Sequence, residues 1–133
     1  MKIILDVSAA IALARGGSDS KPLEEAMSRF QEVECPDLFV AEASNTVWKI
    51  HRMGGVIRKD AEELLERTLA LPDAYFPCLD FHSQALNLAW KAGTPVYDMF
   101  YLALAIQRHG TLATLDRKLQ QICRTEGVPV IPN

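Results

Sequence analysis

Lys2-Ile3-Ile4-Leu5-Asp6-Val7-Ser8-Ala9-Ala10 is the stretch that sets the fold class. Ile3, Ile4 and Leu5 form a short unbroken apolar run. A run of that length without polar alternation suits a strand covered on both faces, as in a parallel sheet. It stops at Asp6. Ser8 to Ala14 is rich in alanine and isoleucine and reads as a helix that Asp6 or Ser8 can cap. A buried strand thus hands the chain to a helix across a single carboxylate.

The same pattern returns near the other end. Thr111 to Thr114 reads as a strand, Asp116 follows it, Arg117 to Glu126 reads as a helix, and Val128 to Ile131 as a final strand. Between these ends, Gly16-Gly17-Ser18-Asp19 is a loop, and a helix runs from about Pro22 to Glu32. Val33 to Cys35 is a short strand candidate. Pro36 opens a long helix to about His51, broken by Gly54-Gly55. Arg58 to Ala70 carries Ala61, Leu64, Leu65, Thr68 and Leu69 at helical spacing. Tyr75 to Leu79 is a strand candidate. Asp80 is read as a cap for a helix from Phe81 to Ala92, which stops at Gly93 before Pro95. Val96 to Arg108 is apolar nearly all round and predicts a central buried helix ending at Gly110. This alternation predicts an α/β three-layer sandwich with a central, mostly parallel β-sheet, and one domain over residues 1–133.

Composition narrows the function classes. At 133 residues, 49% hydrophobic and 23% charged, the chain can bury one core without disulfide or metal staples. No run approaches the roughly 20 apolar residues of a membrane span, and no secretory leader is legible, so a cytoplasmic protein is expected. Cys35, Cys78 and Cys123 lack ligand spacing, which disfavours both a zinc site and a disulfide framework. A net charge of −3 is poor for a nucleic-acid binder unless a metal ion supplies positive charge.

Four acids interrupt apolar or small-residue surroundings: Asp6, Glu42, Asp98 and Asp116. Taken one at a time, the three aspartates read as helix caps or first-turn residues. Glu42 lies inside a predicted helix between Ala41 and Ala43, where capping is impossible. Taken together they change meaning. Like charges about 4 Å apart repel by about 4 kcal/mol at an effective dielectric near 20, and a divalent cation reverses the sign. Oxygen-only ligation points to Mg²⁺ or Mn²⁺ rather than zinc. Ser8, Asn45 and Thr114 stand where they can orient those carboxylates: Asn45 three residues after Glu42, and Thr114 two before Asp116. For Ser8 and Thr114, hydrogen bonding to local backbone is an equally good account.

These residues, in this order, resemble the PIN-domain family. Ile4-Leu5-Asp6-Val7-Ser8 is similar to its first strand and first acid. Pro36-x-Leu38-x-x-x-Glu42-x-x-Asn45 resembles its second motif, Tyr97-Asp98-x-x-Tyr101 its third, and Thr114-x-Asp116-x-x-Leu119 its fourth. The match runs almost the whole chain, and the size resembles the VapC-type toxins of that family. The resemblance implies a PIN-like fold and a metal-dependent endoribonuclease. Asp6, Glu42, Asp98 and Asp116 would be its catalytic, metal-holding acids. It also implies a homodimer and a small antitoxin protein as partner.

Water activated by Mg²⁺ or Mn²⁺ would then cut RNA, with no histidine or serine nucleophile. His51, His82 and His109 share no evident site. Lys49, Arg52, Arg58 and Lys59 flank the Gly54-Gly55 turn and are candidates to grip the RNA backbone, against the plainer reading of a solvated helix end. Apolar loading around Trp48 to Val56 and Leu64 to Leu71 supports the homodimer or an antitoxin contact. Two alternatives remain open: a catalytically inactive PIN-like binding module, and a metal-dependent phosphoryl-transfer enzyme acting on a small molecule. The RNA cut, the antitoxin, the number of metal ions and any activity on DNA are not encoded legibly.

Overall fold

The computed structural model describes residues 1–132; Asn133, the last residue of the expected domain, lies outside them. Five strands, Lys2–Leu5 (β1), Glu32–Pro36 (β2), Ala74–Phe76 (β3), Thr111–Ala113 (β4) and Val130–Ile131 (β5), form one sheet in the order β3-β2-β1-β4-β5. Every pairing is parallel. The α-helices among the described residues are Val7–Arg15 (α1), Lys21–Met27 (α2), Leu38–Gly54 (α3), Arg58–Leu69 (α4), His82–Ala92 (α5), Tyr97–Arg108 (α6) and Arg117–Thr125 (α7).

Strand order fixes the layers. From β1 the chain steps through β2 to β3 in one direction, then returns across the sheet to β4 and β5. Right-handed crossovers therefore set α1 to α4 on one face and α5 to α7 on the other. α6 crosses β1, β2 and β4 with α5 beside it, and α1, α3 and α4 pack on one another. The strands carry the fully buried Ile3, Ile4, Leu5, Cys35, Leu112 and Ala113, and α6 adds Met99, Tyr101, Leu102 and Leu104. The reversal in strand order falls between β1 and β4. Ligands in open parallel sheets bind outside the carboxyl ends of the strands at such a switch point. Leu5 pairs with Ala113, so Asp6 and Thr114 emerge side by side there.

Several boundaries differ from the sequence reading. α2 stops at Met27 because Glu32 to Pro36 extend along β1 and β3. Pro36 ends β2 and does not open a helix. The N–H of Asp37 donates to the Phe76 carbonyl (2.8 Å), which prolongs the ladder and delays α3 to Leu38. Asp80 caps nothing; it lies in a 3₁₀ turn, and α5 begins without a side-chain cap. α6 ends at Arg108, and the left-handed residue after it is His109 (φ 53°), where glycine is usual. Gly110 serves a different need. A Cβ there would lie 3.2 Å from Ile4 Cγ1 and 3.3 Å from the Lys2 carbonyl, so a side chain would crowd the return from α6 to β1 and push its neighbours by a few tenths of an ångström. The apolar positions of α4 face inward: Leu64 is buried, Leu65 and Leu69 pack against the core, and so does Leu71 just beyond the helix.

One ion pair, unremarked in the sequence, fastens α6 to the sheet. Arg108 donates from Nε and Nη2 to the two carboxylate oxygens of Glu34, both at 2.9 Å. Its guanidinium also lies 4.7 Å from the ring centroid of Phe76. The Arg108 hydrogen bonds hold the Glu34 carboxyl below the usual glutamate range. Among the described residues, no helix is long and apolar enough to cross a membrane.

Candidate active site

Asp6 is the anchor of the site. It follows β1, is only 6% exposed, and caps α1 by accepting at Oδ1 from the Ala9 N–H (3.0 Å). The Ser8 hydroxyl donates to the same oxygen (2.7 Å), and the buried Thr114 hydroxyl donates to Oδ2. Thr114 Oγ1 in turn receives the Asp116 N–H (3.1 Å), and Ser8 Oγ receives the Leu115 N–H (3.0 Å). Thr114 therefore both holds an acid and satisfies local backbone, whereas Ser8 holds the acid and receives a backbone N–H from across the sheet. Asp116 caps α7 through the Leu119 N–H (3.0 Å) while remaining exposed.

Two further acids reach the same place from the two helical layers. Glu42 sits on the second turn of α3, half-buried, and its Oε1 accepts from the Tyr101 hydroxyl at 2.6 Å. Asp98 is the second residue of α6, half-buried, and is not its cap. Asp6, Val7, Ser8, Glu42, Thr46, Asp98, Tyr101 and Asp116 line one cleft of about 260 Å³. The N-termini of α1, α6 and α7 all open toward it, and their dipoles favour the negative charge collected there. A larger hollow of about 370 Å³ lies at the opposite end of β4, beside His109, Gly110 and Val128, and holds no second acid beside Glu126.

Burial, more than mutual repulsion, shifts these carboxyls. Desolvation pushes Asp6 up to about 6 against the pull of the Ala9, Thr114 and Ser8 donors, with a smaller push from Asp98. Glu42 is raised by burial and, less, by Asp98 and Asp6, while the Tyr101 hydrogen bond opposes the rise. Asp98 is raised by burial and by Asp116; Lys118 partly offsets this.

The other expected residues fall less neatly. Asn45 is exposed and does not line the cleft; Thr46, one residue later, does, and its hydroxyl donates to the Glu42 carbonyl (2.9 Å). Lys49, Arg52, Arg58 and Lys59 are exposed and none lines the cleft. Arg58 is bonded to Glu62 (2.8 Å). The cation that acts on the site is Lys118 on the first turn of α7, which sequence reasoning passed over. Tyr101 was also missed as a site residue, because a tyrosine at helical spacing in an apolar helix reads as core.

Among the described residues, no group of three or more His, Cys, Asp or Glu side chains is arranged to hold a metal ion by itself. The donor chemistry nonetheless fits a hard ion. The lining offers four carboxylates and the hydroxyls of Ser8, Thr46 and Tyr101, with no thiol or imidazole. Magnesium commonly uses one or two carboxylates, keeps several waters and takes phosphate oxygens from the substrate.

Comparison with known proteins agrees with the fold. The PIN domain family model matches residues 3–125. Ribonuclease VapC3 of Pyrobaculum aerophilum is 38% identical over 128 residues, covering 91% of this chain and 94% of the relative. Among solved structures, PAE2754 of Pyrobaculum aerophilum superposes with a TM-score of 0.74 at 23% identity, covering 98% of this chain and 90% of the other. VapBC2 of Rickettsia felis, solved on a DNA fragment from its promoter, gives 0.67 at 13% identity, covering 98% and 97%. With the family's model matching residues 3–125 and a relative 38% identical over nearly the whole of both chains, the chain belongs to the PIN-domain family.

Proposed function

We propose that this chain is a metal-dependent endoribonuclease and the toxin of a toxin–antitoxin pair. The observation that carries the reading is the gathering of Asp6, Glu42, Asp98 and Asp116 on one cleft at the switch point of the sheet. Kinship with a ribonuclease named VapC3 supports the same activity. In this reading Asp6, Glu42, Asp98 and Asp116 hold Mg²⁺ or Mn²⁺. When bound there, such an ion would supply an activated water and positive charge for the scissile phosphate. Ser8 and Thr114 keep Asp6 in place between the two strand ends. Lys118 and, two turns along α3 from Glu42, Lys49 meet the RNA backbone; Arg52, Arg58 and Lys59 extend that contact only if the RNA reaches the α3–α4 turn.

The purified chain is expected to cut single-stranded or loop RNA only with Mg²⁺ or Mn²⁺. The products carry a 3′-hydroxyl and a 5′-phosphate, because water and not the 2′-hydroxyl attacks phosphorus. Full cleavage in excess chelator, or a 2′,3′-cyclic phosphate end, would overturn the mechanism.

An antitoxin protein and a second copy of the chain complete the proposal, with the cytoplasm as its site of action; the three unpaired cysteines suit a reducing compartment. The paired VapBC architecture of a fold relative supports the antitoxin. Exposed Trp48 (56%), Met53 (72%) and Ile57 (62%) at the α3–α4 turn support the homodimer. Light scattering of the isolated chain at micromolar concentration should give a dimer mass; a monomer would remove the homodimer from the proposal.

A further inference from the structure

Two of the cleft carboxylates differ in how they are held. Asp6 has both oxygens engaged, by donors from the first turn of α1 and from Thr114 at the end of β4. Glu42 stands on α3, a helix of the other layer, and has one engaged oxygen; its donor is the hydroxyl of Tyr101 on α6. Tyr101 is 1% exposed, and this hydrogen bond gives its single side-chain polar atom a partner. At 2.6 Å the bond has the length of a hydroxyl donating to a carboxylate, the stronger, charge-assisted kind. A buried tyrosine rarely leaves its hydroxyl without an acceptor, so ring packing in the core and hydrogen bonding at the cleft lock each other.

We infer that Tyr101 is a positioning residue that fixes the rotamer of Glu42, so that Glu42 Oε2 is presented to the divalent cation. Glutamate has three rotatable bonds and would otherwise sweep the cleft mouth. Holding Oε1 from the sheet side leaves Oε2 as the free ligand atom and removes most of the ordering cost at the moment of binding. The assignment rests on the metal-nuclease reading, and its test separates the two.

Mn²⁺ affinity of the full chain, measured by calorimetry without RNA, gives a readout independent of catalysis. Tyr101→Phe keeps the ring and removes the donor; it should weaken Mn²⁺ binding about tenfold. In a Glu42→Gln background the same Tyr101→Phe change should cost almost nothing further, because the side chain it positions has lost its charge. A merely structural tyrosine would cost the same in both backgrounds. If Tyr101→Phe loses its fold, the wild-type protein still reports. Mn²⁺ should perturb the near-ultraviolet tyrosine absorption, and Glu42→Gln should abolish that perturbation. Unchanged Mn²⁺ affinity in Tyr101→Phe, or equal losses in both backgrounds, overturns the assignment alone. A tyrosine signal that persists in Glu42→Gln does the same. A wild-type chain that binds no Mn²⁺ overturns the nuclease reading and this assignment with it.

Discussion

Asp98→Asn and Asp6→Asn are each expected to lower RNA cleavage by on the order of a thousandfold, the usual scale for losing one preorganised charge at a reacting phosphate or acyl centre. The fold should survive both. In Asp6→Asn the new amide oxygen can still accept from the Ala9 N–H and the Ser8 hydroxyl, so the cap on α1 persists. Asp6→Asn should also gain stability when no metal is present. The Asp6 carboxyl is raised from 3.8 to about 6, chiefly by burial. Between those values the folded protein keeps a proton that the unfolded chain releases, so the wild type loses stability as pH rises through that window. Above it the loss is complete, and a shift of about two pKa units caps it at about 3 kcal/mol. In chelator, the asparagine protein should melt higher than wild type near neutrality, with the gap closing toward the ordinary aspartate range. A gap that does not change with pH would show that Asp6 is not strained by its charge. Wild-type cleavage by Asp98→Asn would remove Asp98 from the essential set.

Arg108→Ala is expected to produce the largest loss of stability. It strands the Glu34 carboxylate, which is 2% exposed, in the middle of β2. Removing the partner of a buried carboxylate typically costs about 3 kcal/mol, and the one-third exposure of the Arg108 side chain lowers this to about 2–3 kcal/mol here, whereas replacing both partners by apolar groups can be neutral. Thermal unfolding should therefore show a melting point roughly 10 °C lower for Arg108→Ala, and a smaller loss for Glu34→Leu combined with Arg108→Met. The pair's contribution is present above the usual glutamate pKa and disappears as pH falls through the lowered value of Glu34. An Arg108→Ala protein that melts within about 2 °C of wild type would show the pair to be ornamental.

The strands and helices were legible wherever local chemistry and tertiary packing agree. Ile3-Ile4-Leu5 is apolar because both sheet faces are covered, and α6 is apolar nearly all round because it lies across three strands. Disagreements arose where a distant pairing decides. Pro36 looks like a helix start until Phe76 is seen beside it, and Gly110 looks like a helix stop until Ile4 is seen against it. The convergence of Asp6, Glu42, Asp98 and Asp116 was legible because each breaks an apolar context. The supporting residues were less so. Asn45 and Thr46 both fit the Glu42 face at helical spacing, and only the packing of the folded chain selects the second. Lys118 followed Asp116 in plain view, but its reach to Asp98 depends on how α7 meets α6.

The cleft draws on the end of the first strand, on both helical layers and on the cap of the last helix, so no short fragment of this chain contains it. A fragment that stops short of Asp116 lacks one wall of the cleft, and the cleft is not closed until α3 and α6 have docked on opposite faces. Any activity that needs all four acids therefore needs the whole sheet assembled with both of its helical layers.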